Sequence, residues 1–316
     1  MRSVARHGAP VATTNPVGAA LLLDHLTQAG VGFAVTHRES EVAIGEVVSD
    51  VDLLVDREPH SALAAMFEAG PPPLRLVVIW PYDLRSVTTF WLTDDGRSGV
   101  QLDFVGDPDG LGRYGFKTDA FLERASAGAR WRRLHSSDEL AYLARKRAVK
   151  GQSSGINASG VLGDAGPDRT EELVANQTAR RALSQSVLRT HRYATRLRSP
   201  IGHWVELVGG SEASVLAGAL SSRFRSTLVT AEAYERPTGR SAQWPWWLKH
   251  IAPIRWRPGI VVSWCRNELA APHADVRVRP DGRDADEYAA AIVNAMSESA
   301  MRRLQVRVSD RRTQCM

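Results

Sequence analysis

The chain has 316 residues, of which 43% are hydrophobic and 24% charged, with a net charge of +5. This length predicts two domains of roughly 100 to 200 residues each, and the composition excludes disordered, collagen-like and disulfide-scaffold proteins. Cys265 and Cys315 are the only cysteines, which excludes a thiolate zinc site and favours a cytoplasmic protein. The apolar runs of the sequence are too short for a signal peptide or a membrane span, so neither is expected.

The first half of the sequence predicts an α+β domain over 17–150, behind a flexible segment at 1–16. Apolar residues recur at helical spacing in some stretches and form short apolar runs typical of strands in others. The predicted elements are a helix from Pro16 to before Gly30, strands at 31–36 and 51–55, a helix at 59–69, strands at 74–80, 86–92 and 100–105, and a helix at 136–150.

The second half predicts a separate α/β domain over 200–300. It follows a segment at 151–199 that begins with a linker rich in Gly, Ser and Asn and continues as a polar, basic helix at 168–197. The predicted elements are strands at 204–208 and 259–263 and helices at 211–220 and 286–296. Residues 301–316 are expected to form a tail.

Charge is distributed unevenly along the chain. Residues 1–120 hold 9 Lys and Arg against 16 Asp and Glu, whereas residues 121–200 hold 15 against 7. This pattern favours a cleft where metal and phosphate ligands meet, or contact of the basic part with nucleic acid; the alternative is a solvated basic helix. Arg145, Lys146 and Lys150 are expected at the rim of such a cleft, where they would meet phosphate.

Three aspartates on predicted strands form the strongest candidate site. Asp50 and Asp52 stand two residues apart beside an apolar run, so their side chains point to the same face of a strand. Burying two like charges is costly unless a cation compensates them, and carboxylate oxygens favour Mg²⁺ or Mn²⁺. Asp103 lies on a later strand, and it completes a three-carboxylate cluster for a two-metal site if the strands are neighbours.

The alternative for Asp103 is a residue at the end of a strand that forms a turn with Gly106 and Asp107. Other types of catalytic centre are poorly represented in the sequence. The histidines do not show zinc-protease spacing, and the serine-hydrolase motif is absent. The acidic cluster is therefore the site on which a functional interpretation rests.

Four stretches, at 30–35, 49–55, 100–104 and 139–151, resemble bacterial nucleotidyltransferase-like proteins of the polymerase β-type superfamily, in which a thymidylate-kinase-like P-loop domain follows. The resemblance spans about residues 17–297. It implies an α+β nucleotidyltransferase-like domain with a mixed sheet, a helical middle, and a C-terminal α/β domain with a degenerate P-loop.

The resemblance also implies a reaction. Asp50 and Asp52 would be metal ligands, and Asp103 would be the third ligand and would orient or deprotonate an acceptor hydroxyl. The implied activity is transfer of a nucleoside monophosphate from a nucleoside triphosphate to a hydroxyl, with release of pyrophosphate. The alternative is a catalytically silent binding or scaffolding protein that keeps the fold.

The sequence differs from that superfamily in the residues expected to bind the triphosphate. Its members place a Gly-Ser pair at a helix start before the acidic strand, whereas this chain has Thr36-His-Arg-Glu-Ser40. Arg38 or Ser49 would take over that role, together with Lys146 and Lys150.

The predicted P-loop region also lacks functional groups. Gly209, Gly210 and Ser211 stand where such a loop is expected, but the phosphate-binding lysine is missing. The sequence therefore predicts a degenerate P-loop-like domain or an unrelated α/β domain, in either case without kinase activity.

Four of the nine tryptophans fall within Trp244–Trp256, among Lys249, His250 and Arg255. Large aromatic side chains beside cations are typical of a stacking platform for bases or sugars, a protein-partner surface, or an interfacial anchor. The alternative is that these tryptophans pack the seam between the two domains.

Overall fold

The structure is a computed structural model that describes most of the chain. The described residues are 16–46, 50–81, 85–93, 98–110, 112, 114–149, 201–208, 215–216, 218–220, 230–255, 258–265, 273–279 and 284–314. The predicted linker and basic helix at 151–199 and the glycine-rich loop at 209–214 lie outside them.

The described residues form an α/β fold with two sheets. The helices are α1 (Pro16–Gln28), α2 (Glu39–Ala43), α3 (Pro59–Glu68), α4 (Thr118–Arg124), α5 (Ser136–Val149), α6 (Arg240–His250) and α7 (Ala285–Gln314), with a 3-10 turn at Pro253–Arg255. The strands are β1 (Phe33–Val35), β2 (Val51–Val55), β3 (Arg75–Pro81), β4 (Ser86–Leu92), β5 (Gly99–Val105), β6 (Ser126–Ala127), β7 (Arg132–Arg133), β8 (His203–Val208), β9 (Thr230–Glu235), β10 (Gly259–Cys265) and β11 (Val276–Val278).

The first sheet is mixed and has the strand order β3-β4-β5-β2-β1-β7-β6. At its centre, β2 runs antiparallel to β1 and parallel to β5. Alternate residues of β2 face opposite sides: Val51, Leu53 and Val55 join a core with α1 and α3, and Leu54 joins a core with α4 and α5. Both faces of the sheet are therefore covered, and Asp52 lies on the α5 side because it shares the face of Leu54.

The second sheet is parallel, with the strand order β11-β8-β10-β9. It shares a core with the first sheet, in which Val77 and Phe90 join Val205 and Val262. His203 also forms a hydrogen bond of 2.7 Å from its Nε2 atom to the carbonyl oxygen of Val77. The two sheets are thus packed against each other.

Helix α7 crosses both cores and is longer than predicted. The sequence predicted a helix over 286–296, whereas α7 continues to Gln314. Its continuation buries Ala300 and Leu304 in the core of the first sheet, so packing extends the helix through the predicted tail. At the other end of the chain, Pro16 begins α1, which fits the preference of proline for the first helical turn.

None of the helices in the described part of the chain combines the length and hydropathy needed to cross a membrane.

Candidate metal centre

The three aspartates meet on the face of the first sheet that α5 covers. Strands β2 and β5 pair in parallel, with Asp52 directly opposite Asp103. Asp50 stands two residues before Asp52 and therefore on the same face. One carboxylate oxygen from each of the three residues lies within 4.8 Å of the other two. The expectation that the two strands are neighbours is confirmed, and the cluster could hold a metal ion.

Asp52 is the most deeply buried member of the cluster, with 1% of its side chain exposed. Its Oδ2 atom faces the ammonium of Lys146 and lies 3.5 Å from Nδ1 of His37. Its Oδ1 atom is buried and has no hydrogen-bond partner among the described residues. A buried polar atom without a partner is unfavourable, so Oδ1 is a candidate ligand atom for a cation.

Asp103 is held in place by neighbouring polar side chains. Thr88 donates a hydrogen bond of 2.6 Å to Oδ1 of Asp103, and the amide of Gln101 donates a longer one of 3.4 Å to the same atom. Burial raises the pKa of Asp103 to about 7, helped by the negative charges of Asp52 and Asp50 and opposed by Lys146. A divalent cation at the site would favour the ionised carboxylate and lower this pKa.

Lys146 lies at the carboxylates rather than at the rim of a cleft. Its ammonium forms an ion pair with Asp52 and stands 3.7 Å from Asp50, with 10% of the side chain exposed. Burial lowers the pKa of Lys146, but the charges of Asp52, Asp50 and Asp103 outweigh burial and raise it above its ordinary value. Proximity to the acidic site was predicted for Lys146, and its contact with phosphate stays a prediction.

The other basic residues singled out in the sequence do not join the cluster in the same way. Arg145 donates a hydrogen bond of 2.7 Å to the carbonyl oxygen of Gly115, so it holds the loop before α4 instead. Arg38 is exposed and adopts a left-handed backbone conformation, with φ of 57°, just before α2. Ser49 and the side chain of Lys150 lie outside the described residues.

Two further side chains belong to the site and were not predicted. His37 follows β1, and its Nδ1 atom lies 2.9 Å from the hydroxyl oxygen of Thr36 as well as near Asp52. Tyr142 is fully buried one helical turn before Lys146, and its hydroxyl has no partner among the described residues. Burial and the nearby carboxylates raise the pKa of this hydroxyl. The four-residue spacing of Tyr142 and Lys146 was the available signal, since it places both on one face of a helix.

Carboxylates predominate among the described side chains of this site. Asp50, Asp52 and Asp103 bring three carboxyl groups together, and the ammonium of Lys146 contacts two of them. Hard divalent ions prefer oxygen ligands of this kind. The ligand chemistry of the cluster is therefore suited to such an ion.

The second sheet contains a buried polar network that is satisfied internally. Glu206 of β8 accepts hydrogen bonds from Ser263 of β10 and, at 2.9 Å, from Arg236 after β9. The indole of Trp204 donates to the hydroxyl of Ser263 at 2.8 Å. These contacts hold the parallel strands together. The degenerate P-loop predicted after β8, at 209–214, lies outside the described residues.

Two of the tryptophans at 244–247, Trp246 and Trp247, pack within the second half of the chain. Trp246 and Trp247 contact a cluster of Trp204, Ile251, Ile254 and Val261, in which the described residues all come from 204–274. The described contacts of Trp246 and Trp247 in this cluster thus lie within the second half of the chain. Trp256 lies outside the described residues.

Comparison of the chain with family models, with curated proteins and with solved structures gives no match. A functional interpretation therefore depends on the geometry and chemistry of the acidic cluster.

Proposed function

We propose that this protein is a metal-dependent nucleotidyltransferase that moves a nucleoside monophosphate from a nucleoside triphosphate to a hydroxyl acceptor and releases pyrophosphate. The observation that supports it most is the cluster of Asp50, Asp52 and Asp103 on adjacent parallel strands, with one buried carboxylate oxygen left unpaired. The resemblance of the surrounding sequence to the polymerase β-type superfamily supports the same activity.

The residues fit a hard divalent cation. Asp50, Asp52 and Asp103 would hold Mg²⁺ or Mn²⁺, and the unpaired Oδ1 atom of Asp52 would gain a partner. When bound, such an ion neutralises phosphate charge and assists departure of pyrophosphate.

Asp103 is the residue we assign to proton transfer. Thr88 and Gln101 fix the orientation of its carboxylate through Oδ1. As the acceptor oxygen attacks the α-phosphorus, Asp103 takes the hydroxyl proton. The bond from the α-phosphorus to the bridging oxygen breaks, and its electron pair leaves with pyrophosphate. Burial raises the pKa of Asp103 in the absence of an ion, and a bound divalent ion would lower it, so the carboxylate would be ionised and able to accept the proton.

Lys146 contacts the carboxylates directly, and we assign to its ammonium the role of binding the triphosphate. Its ammonium compensates Asp52 and Asp50 while no divalent ion is bound. Once a divalent ion supplies that charge, the ammonium can pair with a phosphate oxygen instead. Arg38, exposed before α2, is the second cation assigned to triphosphate; Ser49 and Lys150 remain predicted contacts.

A specific observation favours one alternative function. The ammonium of Lys146 already provides a positive charge beside Asp52, so the acidic cluster can be a structural ion-pair network in a silent binding or scaffolding protein. The proposed enzyme requires a bound divalent ion, whereas a structural ion-pair network does not. Ion binding therefore distinguishes the two functions.

Calorimetric titration of the whole chain with MgCl₂ and MnCl₂, and then with the four ribonucleoside triphosphates, tests the proposal. We expect ion binding, ion-dependent triphosphate binding, and loss of both by about 100-fold or more in Asp52→Asn. Asp119→Asn, which changes an exposed carboxylate on α4, is the matched control and should bind as the unmodified chain does.

Pyrophosphate release is then measured with each triphosphate, the ion and a panel of hydroxyl acceptors, water included. Ion-dependent release that Asp52→Asn abolishes supports the enzyme. Absence of both ion and triphosphate binding in the unmodified chain would overturn the proposal and favour the silent protein.

A further inference from the structure

Helix α6 presents large apolar side chains to solvent. The side chain of Trp244 is 64% exposed, and that of Leu248, one helical turn later, is 48% exposed. Trp244 stacks on Trp247, with ring centroids 5.5 Å apart and planes inclined by 7°. Residues four apart share one face of a helix, so Trp244 and Leu248 form a continuous apolar ridge.

The opposite face of α6 fixes the helix to the second sheet. Trp246 packs against Trp204 with ring centroids 6.1 Å apart, and His250 packs against Tyr234 at 3.8 Å. The ridge is therefore carried by a helix with a defined orientation, and it is separate from the acidic cluster of the first sheet.

An exposed positive charge lies beside this ridge. Residues 237–255 contain Arg240, Lys249 and Arg255 and no Asp or Glu, and Lys249, next to Leu248, is exposed. The carboxylate that lines the same small cavity as Lys249 belongs to Glu232, which is engaged by the hydroxyl of Tyr234. An anionic partner complements such a surface.

We propose that α6 docks the protein on the surface of an anionic phospholipid bilayer, with Trp244 and Leu248 inserted at the level of the headgroups and Lys249 paired with lipid phosphate. Indole rings favour the membrane interface, and apolar insertion with nearby Lys or Arg gives reversible binding to anionic lipid. A single-stranded nucleic acid is the less suitable partner, because one face of Trp244 already stacks on Trp247 and an exposed leucine contributes no stacking.

Co-sedimentation of the full chain with vesicles tests this proposal. We expect binding to vesicles of phosphatidylcholine with 30% phosphatidylglycerol to exceed binding to pure phosphatidylcholine by about tenfold, and to weaken in 0.5 M NaCl. Trp244→Ser and Leu248→Ser should each reduce the partition coefficient by about fivefold to tenfold. Val17→Ser, which removes a side chain 65% exposed on α1, is the matched control and should bind as the unmodified chain does.

Circular dichroism on each variant confirms that the fold is retained. Equal sedimentation with both vesicle types, no sedimentation with either, or unchanged sedimentation of both α6 variants would overturn the proposal. A fluorescein-labelled single-stranded oligonucleotide is titrated in parallel. If Trp244→Ser weakens oligonucleotide binding and leaves vesicle binding unchanged, the surface binds nucleic acid and the membrane assignment is wrong.

Discussion

Lys146 decides the charge balance of the acidic cluster. In the described part of the chain its ammonium is the one that contacts both Asp50 and Asp52. Removing one partner of a buried ion pair leaves the other charge without compensation, and this typically costs more than the pair itself contributes. The effect of a substitution at this residue therefore reports on the electrostatics of the whole cluster.

Lys146→Met should lower the free energy of unfolding in EDTA by about 3–5 kcal/mol, because the buried carboxylate of Asp52 then loses its ion-pair partner. Addition of Mg²⁺ or Mn²⁺ should restore part of this loss if the ion binds the same carboxylates. Urea unfolding followed by circular dichroism measures both effects.

Lys249→Met, a change at an exposed lysine of α6, should stay within about 0.5 kcal/mol of the unmodified chain. A Lys146→Met protein whose stability does not respond to either ion would contradict the assignment of the cluster as a metal site.

The three aspartates of the site could be predicted from the sequence, whereas the position of Lys146 could be predicted only in part. The spacing of Asp50 and Asp52 gives a shared face directly, and the apolar run around Asp103 marks a second strand. The contact of Lys146 with Asp52 depends on how α5 packs against the sheet, which no local pattern encodes. His37 escaped prediction for the same reason, because its proximity to Asp52 follows from the antiparallel pairing of β1 with β2.

At the scale of elements, the alignment of β2 with β5 brings Asp52 and Asp103 together. Gly106 follows β5, and its lack of a side chain permits the close approach of the two strand ends. A Cβ atom at residue 106 would lie 1.9 Å from the carbonyl oxygen of Arg57, which follows β2. The backbone amide of Gly106 also donates a hydrogen bond of 3.0 Å to the carbonyl oxygen of Arg85. The ends of these strands thus approach more closely than any side chain at residue 106 allows.

Gly106→Ala should lower the free energy of unfolding by about 1–3 kcal/mol and weaken divalent-ion binding, because the backbone must move where β5 passes β2. Urea unfolding measures the first effect and calorimetry the second. Gly239→Ala is the control, since a Cβ atom there meets nothing within 4 Å; equal behaviour of the two variants would show that the close approach at Gly106 is not required.

Elements with an apolar run or a helical apolar period were largely predictable, including the short strands β1 and β2, whereas α4 and other elements without such a pattern were not. Strands β6 and β7 have two residues each and α2 has five, too few for a periodic pattern. Helix α6 was missed because Pro245 lies inside it, and proline normally interrupts a helix. Strand β9 alternates polar and small residues, so its place in the parallel sheet depends on its neighbours.

At the scale of the whole molecule, His203 joins the two sheets through its hydrogen bond to Val77. The pKa of His203 is lowered to about 3, mainly by burial and in smaller part by the positive charge of Arg303. In the unfolded chain the ordinary value is 6.5. Between these two values the unfolded state binds one more proton than the folded state at this residue.

The contribution of His203 to stability should therefore be present above about pH 6.5 and decline as the pH falls toward 3, by about 1.4 kcal/mol for each pH unit. Urea unfolding at pH 7, 6 and 5 measures this slope. His203→Gln retains an amide donor for Val77 but cannot titrate, and its slope should be shallower. His135→Gln, at an exposed histidine, should keep the original slope; an unchanged slope in His203→Gln would remove His203 as the cause.

Helix α7 has a consequence for how the protein is made. Its residues Ile292 and Met296 belong to the core shared by the two sheets, and Ala300 and Leu304 belong to the core of the first sheet. A ribosome synthesises these residues after every described strand, so the nascent chain carries incomplete apolar cores until α7 emerges. Such exposed surfaces are the ones that chaperones bind and that lead to aggregation. Both sheets therefore complete their folding only after translation has passed α7.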